Sequence, residues 1–456
     1  MNTLSVQDAS FLHIETGNTQ MHIGGVSIFE GPPPPYEDIA AMVVGKLAAV
    51  PRYRQKVRFT PFGLSRPVWV DDPHFKLSYH LRHTALPAPG GEVELRNLTG
   101  RVMAQQLDRA KPLWEMWIVE GLGGGRWALV NKVHHCMVDG VSATDLLSVM
   151  LDPDPGTPPG EADGWTAAPE PSDFEVLTQS VTDSLHPREA LAGMAEAARA
   201  PRRIFGEMRS AAGALVAARG FLRPVSSSLT GPVGPHRRWS WAQASMQDVK
   251  AIRSGLGGTV NDVVLAAISR GFRDLLESRD EPLEGRTVRT MVPVSVRTGS
   301  EKGTYNNRVS AVFVDMPVGV ADPLERLAGV GAQMAELKSS QKAVAGEVLT
   351  SLSGFAPSML LALGMRAAAR SPQMTFETVT TNVPGPQRPL YAAGRRMVVS
   401  YPYVPVAGAV RIVVAIFSYD GHLAFGVTGD HDAVPDIDVL CKGIEDGIAE
   451  LLALAA

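Results

Sequence analysis

Two adjacent histidines are where this sequence concentrates its chemistry. In Val133-His134-His135-Cys136-Met137-Val138-Asp139-Gly140, an apolar, strand-like run over 127–133 gives way to a helical stretch beginning near Ser142. An imidazole at a strand end is held by the sheet yet projects into whatever cleft lies beyond it. Its ordinary pKa, about 6.5, lies near neutrality, so one histidine can take a proton from an alcohol and return it to a thiolate leaving group. Asp139, four residues past His135, either holds the loop by pairing with an arginine, the preferred role, or orients the imidazole; Gly140 permits a tight turn there. Neighbouring strand residues point to opposite faces, so at most one of the two histidines faces a substrate and the other packs within the protein.

Competing chemistries find little support. Opposed histidines chelate a metal poorly and no third ligand stands out, so no metal is expected. Cys136 is expected to pack in the core rather than act as a nucleophile. The chain has no Gly-x-Ser-x-Gly elbow, no phosphate-binding Gly-x-x-x-x-Gly-Lys loop and no Cys-x-x-Cys pair. The glycines at 121 and 123–125 precede a strand instead of a helix, which argues for a hairpin loop and against a dinucleotide site.

The elements that must position these residues fall into two parts. Runs at 114–119 and 127–133 read as a hairpin, within a first part spanning 1–150. A stretch rich in Pro, Gly and Asp follows from Leu151 to about Asp173 and reads as a linker. Beyond it an Ala-rich helical segment at 188–219 begins a stretch that carries, up to residue 223, seven Arg against three Glu, a pattern suited to an anionic lipid surface or to a solvated interdomain helix. The linker and this helix together occupy 151–235. In the last part, 236–456, helical stretches (260–276, 324–340, 349–369) alternate with strand-like runs (290–296, 309–316, 411–419, 423–428). Each half therefore reads as α+β or mixed α/β layers.

Composition narrows the partners. With 43 Lys+Arg against 47 Asp+Glu the chain lacks the positive excess that nucleic-acid binding uses. Two cysteines, Cys136 and Cys441, make no disulfide framework and suit a reducing cytoplasm. The start of the sequence lacks the basic and apolar regions of a secretory signal, and no apolar run approaches the roughly 20 residues that span a bilayer. Any membrane contact is expected to be peripheral.

Several further segments carry a resemblance. Leu4-Ser5-Val6-Gln7-Asp8, Met21-His22-Ile23-Gly24, residues 67–73, Leu107-Asp108-Arg109, Pro112-Leu113-Trp114-Glu115, Asn261-Asp262, residues 293–297, Asn307-Arg308-Val309-Ser310 and Asn382-Val383-Pro384-Gly385-Pro386 accompany the histidine motif. Together they resemble the bacterial wax ester synthase/diacylglycerol acyltransferases, among the His-His-x-x-x-Asp-Gly acyltransferases, and the actinobacterial triacylglycerol synthases in particular. The likeness covers nearly the whole chain.

That resemblance implies two chloramphenicol-acetyltransferase-like halves with the site in a channel between them. It implies acyl-CoA as co-substrate with no other cofactor, and diacylglycerol or a long-chain alcohol as acceptor, met at a membrane or lipid-droplet surface. His135 becomes the general base, with His134 beside it and Asp139 as anchor; Arg297 and Arg308 are the arginines to test as its partner, with ordinary surface or interdomain salt bridges as their alternative role. Asn261 becomes a candidate oxyanion donor, with helix capping as its alternative role. Asp262 caps the same helix or supports the site, while Asn382, Pro384 and Gly385 form a rigid turn near the substrate channel. Only one site is expected, since the second half has no copy of the motif; Asp430-His431-Asp432 reads as a polar turn. Two other readings remain: a condensation-type acyltransferase using a carrier-bound acyl group, and a lipid-binding protein without catalysis.

Overall fold

The run Arg126–His134 is apolar at most positions because both of its faces are covered. Trp127, Leu129 and Val133 enter one apolar cluster, and Ala128 and Val130 enter another on the opposite face. The computed structural model describes residues 2–61, 66–138, 147, 149–161, 163–176, 178, 227–295, 309–339 and 376–455. Asp139, Gly140, Arg297, Arg308 and the expected helices at 188–219 and 349–369 lie outside the described residues.

The first part of the chain runs β1 (Asn2–Thr3), α1 (Val6–Ile14), β2 (His22–Phe29), α2 (Tyr36–Lys46), β3 (Gln55–Arg58), β4 (Val68–Asp71), α3 (Leu77–His80), β5 (Leu81–Ala85), α4 (Glu92–Ala104), β6 (Trp114–Leu122) and β7 (Arg126–His134). The second runs β8 (Arg237–Ser245), α5 (Met246–Leu256), α6 (Val260–Ser278), β9 (Val288–Ser295), β10 (Val309–Met316), α7 (Pro323–Ser339), β11 (Thr378–Pro384), β12 (Tyr391–Ala392), β13 (Arg395–Tyr403), β14 (Ile412–Tyr419), β15 (His422–Asp430) and α8 (Ile437–Ala455). The hairpin and strand-like runs of the sequence thus appear as strands, displaced by a few residues at their ends.

Two six-stranded mixed sheets result, in the orders β12-β13-β2-β7-β6-β5 and β10-β9-β11-β14-β15-β8, beside a three-stranded sheet β1-β4-β3. In the second sheet β11 lies parallel to both β9 and β14. Its core is shared by α6 and α8, whose buried Phe272, Leu275, Leu440 and Ile444 belong to one cluster with Val414, Ile416 and Phe425 of the strands.

The sequence boundary near residue 236 does not separate the sheets in space. Strands β12 and β13, from late in the chain, belong to the first sheet, where β13 pairs antiparallel with β2 and Ser27 and Ser400 share a hydrogen bond of 3.0 Å. That crossover also ties the halves together. Tyr401 stacks on Trp241 of β8 at 4.6 Å, and the Trp239 indole donates to the Pro402 carbonyl at 3.3 Å. β15 comes so close to β13 at Gly426 that any Cβ there would collide with the Pro402 carbonyl. The described part of the linker lies along the first half: Asp163 pairs with Arg54 at 2.7 Å, and Glu170 and Asp173 pair with Arg58 at 2.8 and 2.6 Å.

Candidate active site

β7 is hydrogen-bonded to β2 on one side and β6 on the other, with His134 opposite His22 and Val133 opposite Trp114. It ends at His134. His135, Cys136 and Met137 form a 3-10 turn, so the two histidines diverge because the chain turns between them, not through strand alternation as the sequence suggested. The His134 ring caps that turn, its Nδ1 accepting the Cys136 N–H at 3.1 Å. An accepting Nδ1 leaves the ring proton on Nε2, which lies 3.7 Å from the Glu15 carboxylate. The His135 amide donates to the Met21 carbonyl at 2.9 Å, and its ring, partly exposed, stacks on Phe11 with centroids 3.8 Å apart. Burial pushes this imidazole down to about 4, so at neutral pH it carries a free lone pair.

Glu15, just past α1, was not singled out from the sequence. Its carboxylate lies 3.4 Å from His22 Nε2, accepts from Arg109 at 2.7 and 3.2 Å, and accepts the Met21 N–H at 3.3 Å. Burial by itself raises such a group, but the nearby imidazoles of His134 and His22 and the hydrogen-bonded Arg109 guanidinium outweigh it and hold the carboxyl well below the usual carboxylate range. His22 is pushed down to about 4 by burial, partly offset by Glu15. The residues flanking the partners were visible as the 21–24 and 107–109 segments. Their common anchor, reached across 94 residues of sequence, was not.

Behind this network, Lys132 is buried and donates to the carbonyls of Val102, at 2.9 Å, and Gln105, where α4 ends with unsatisfied acceptors. Burial pushes its ammonium down to about 8. Cys136 is fully buried and its thiol is pushed well upward by burial, so it is a packing residue and no thiolate.

In the second half, α6 begins with a reciprocal cap. The Thr259 hydroxyl accepts the Asp262 N–H at 3.3 Å, and the Asp262 carboxylate accepts the Thr259 N–H at 2.8 Å. Asn261 is therefore not the cap. Its Oδ1 accepts from Asn382 Nδ2 at 3.4 Å, leaving its own amide N–H groups without a hydrogen-bond partner among the described residues. Asn382 sits near the end of β11, Pro384 is that strand's exposed last residue, and the Gly385 N–H donates to Ser418 Oγ at 3.2 Å. A Cβ at Gly385 would run into the Ser418 carbonyl and the Phe417 ring.

Residues at the ends of β11 and β14 share one apolar cluster with the histidine turn. Val383, Phe417 and Tyr419 join the apolar cluster that contains Val133, Cys136 and Met137. The structure thus brings Asn261 to Asn382, and Val383, next to Asn382, packs against the same apolar cluster as the turn bearing His135. Among the described residues no hydrogen bond joins either asparagine to His135.

Residues 4–264 match the wax ester synthase/diacylglycerol acyltransferase catalytic domain, and residues 305–452 match the WS/DGAT C-terminal domain. The chain is 37% identical to a probable diacylglycerol O-acyltransferase of Mycobacterium tuberculosis, over 100% of this chain and 96% of the relative. A second, putative diacylglycerol O-acyltransferase of that organism is 32% identical over 100% of this chain and 92% of its own. Among solved structures, the wax ester synthase/diacylglycerol acyltransferase from Marinobacter aquaeolei VT8 is similar with a TM-score of 0.72, 26% identity and full coverage of both chains. The first condensation domain of the calcium-dependent antibiotic synthetase shares the fold, with a TM-score of 0.59 at 16% identity over 100% of this chain and 96% of that one. The two-halved mixed α/β architecture expected from the sequence is the fold found.

Proposed function

Since the chain belongs to the wax ester synthase/diacylglycerol acyltransferase family, we propose that it is an acyl-CoA-dependent O-acyltransferase that makes triacylglycerol from diacylglycerol, wax ester from a long-chain alcohol, or both. The observation that carries this reading is a neutral, partly exposed imidazole, His135, fixed at the end of a strand paired on both sides.

In the reaction His135 takes the proton of the acceptor hydroxyl as its oxygen attacks the thioester carbonyl. The tetrahedral intermediate then expels the CoA thiolate, the C–S bond breaking as the new ester C–O bond is kept, and the imidazolium returns the proton to sulfur. Direct transfer agrees with the burial of Cys136, which removes the thiol next to the base as a nucleophile. The unused amide N–H of Asn261 is suited to the oxyanion, with Asn382 orienting it and the Thr259–Asp262 cap fixing the helix start. His134 and Glu15 act behind the base by holding its turn. Pro384 and Gly385 shape the channel wall. Acyl-CoA and the acceptor alcohol are the reactants, and the proposed transfer uses no cofactor.

The acceptors are water-insoluble, so the protein works at a membrane or lipid-droplet surface from the cytoplasmic side, without spanning it. No described helix is long and apolar enough to cross a membrane, and the arginine-rich sequence at 188–223 suits an anionic surface. The test is to incubate purified protein with labelled palmitoyl-CoA and either diolein or hexadecanol, then separate the lipids. Labelled triacylglycerol or wax ester is expected; free palmitate alone, or no product, overturns the reading.

A further inference from the structure

Away from the histidine turn, a cleft of about 690 Å³ opens between α4 and the start of β8. Arg96, Arg101, Arg237, Arg238, His236 and His431 line it, and no carboxylate does, in a chain whose formal charge is -4. Its size is that of a site for a small organic ligand, and its lining is that of a site for an anion.

Three of the four arginines, Arg101, Arg237 and Arg238, make no ion pair among the described residues. Arg237 is buried, yet among the described residues its guanidinium donates only to neutral oxygens: the Gly234 carbonyl at 2.7 Å, the His236 carbonyl at 2.9 Å, the Gln20 amide oxygen at 3.0 Å and the Asn18 carbonyl. The nearby Asp430 carboxylate is taken up by the backbone N–H groups of Gly234, Asp432 and Ala433. A buried cation without a directly bonded anion is costly. Arg101 is exposed and makes no ion pair among the described residues, and Arg238 reaches only the His431 carbonyl, at 3.3 and 3.4 Å. Arg96 pairs with Glu92 and Asp438, but its Nε is buried without a partner. The His431 ring pairs with Asp432 at 2.9 Å.

One wall of the cleft is continuous with the mount of the base. Gln20, which lines the cleft, precedes Met21, whose carbonyl holds the His135 amide. We propose that this cleft binds phosphate, and that the phosphates are the 3′-phosphate and diphosphate of the acyl-CoA co-substrate, anchored here so that the pantetheine arm leads towards His135. This rests on the acyl-CoA reading above. Guanidinium forks suit phosphate oxygens, and their charge-assisted hydrogen bonds are the strong ones.

The test is calorimetric titration of free CoA, and separately of pantetheine, into the full-length protein and into Arg101→Glu and Arg238→Glu, with sedimentation on phosphatidylglycerol-containing vesicles as a parallel arm. Each substitution is expected to weaken the Kd for CoA about tenfold or more, with pantetheine binding weakly and equally to all three proteins. An unchanged Kd for CoA in both variants, or no CoA binding by the unmodified protein, overturns the assignment. So does loss of vesicle binding with CoA affinity intact, which would make the arginines a lipid headgroup site. Binding is read without turnover, so acyl transfer that proceeds while CoA affinity ignores both substitutions sinks the cleft and spares the enzyme reading. CoA affinity that depends on the arginines in a protein that transfers no acyl group does the reverse.

Discussion

A histidine works as a general base only if it is neutral, aimed and reachable, and the three conditions come from different neighbours here. Phe11 stacks on the His135 ring and contributes to the burial that lowers its pKa, Met21 holds its amide, and the turn capped by His134 directs it. The base is lost when the ring takes a proton, so with its pKa near 4 the acid limb of kcat/KM should fall near pH 4, not near the ordinary 6.5. Phe11→Ala lets water reach the ring and removes part of the desolvation, so the limb should move up towards 6.5 and the variant should be disproportionately slow at pH 5.5. Superimposable pH profiles would show that Phe11 does not tune the base. The histidine pair was legible in the sequence because contiguous residues carried it. Glu15 was not, because a lone glutamate after a helix looks like any solvated one until the fold closes His22, Arg109 and His134 around it.

Among the elements, the start of α6 links stability to chemistry. Thr259 caps the helix, which frees Asn261 from capping to hydrogen-bond Asn382. Thr259→Ala should cost about 1 kcal/mol in urea unfolding and should lower kcat by more than the stability change explains, because the Asn261 amide loses its fixed origin. A stability loss with kcat unchanged would assign the cap a purely structural role. The sequence could locate this helix from its apolar spacing, yet left capping to Asn261 or Asp262 when Thr259 takes the leading part. Strands were similarly legible one by one: alternation and apolar runs found β6, β7, β10 and β14 to within a few residues. Which sheet a strand joins depends on pairing across hundreds of residues, and the crossing of β13 to β2 left no local mark.

At the scale of the whole molecule, that crossing means the two halves are not independent. A fragment of residues 1–235 retains β2 but lacks the strand that covers its edge, and an uncovered edge invites association. It should aggregate or unfold without a cooperative transition, and co-expression with residues 236–456 should rescue soluble protein; a monomeric, cooperatively folding fragment would contradict the interlocked architecture. Interlocking also places residues from distant segments in one apolar cluster, which holds the ends of β11 and β14 together with the turn that carries the base. The most direct test of that reaction is the initial rate of labelled ester formation from palmitoyl-CoA by His135→Ala, in protein whose circular dichroism matches the unmodified chain. General-base catalysis by this residue predicts a fall of about a hundredfold to ten-thousandfold, whereas a rate close to that of the unmodified chain would contradict it.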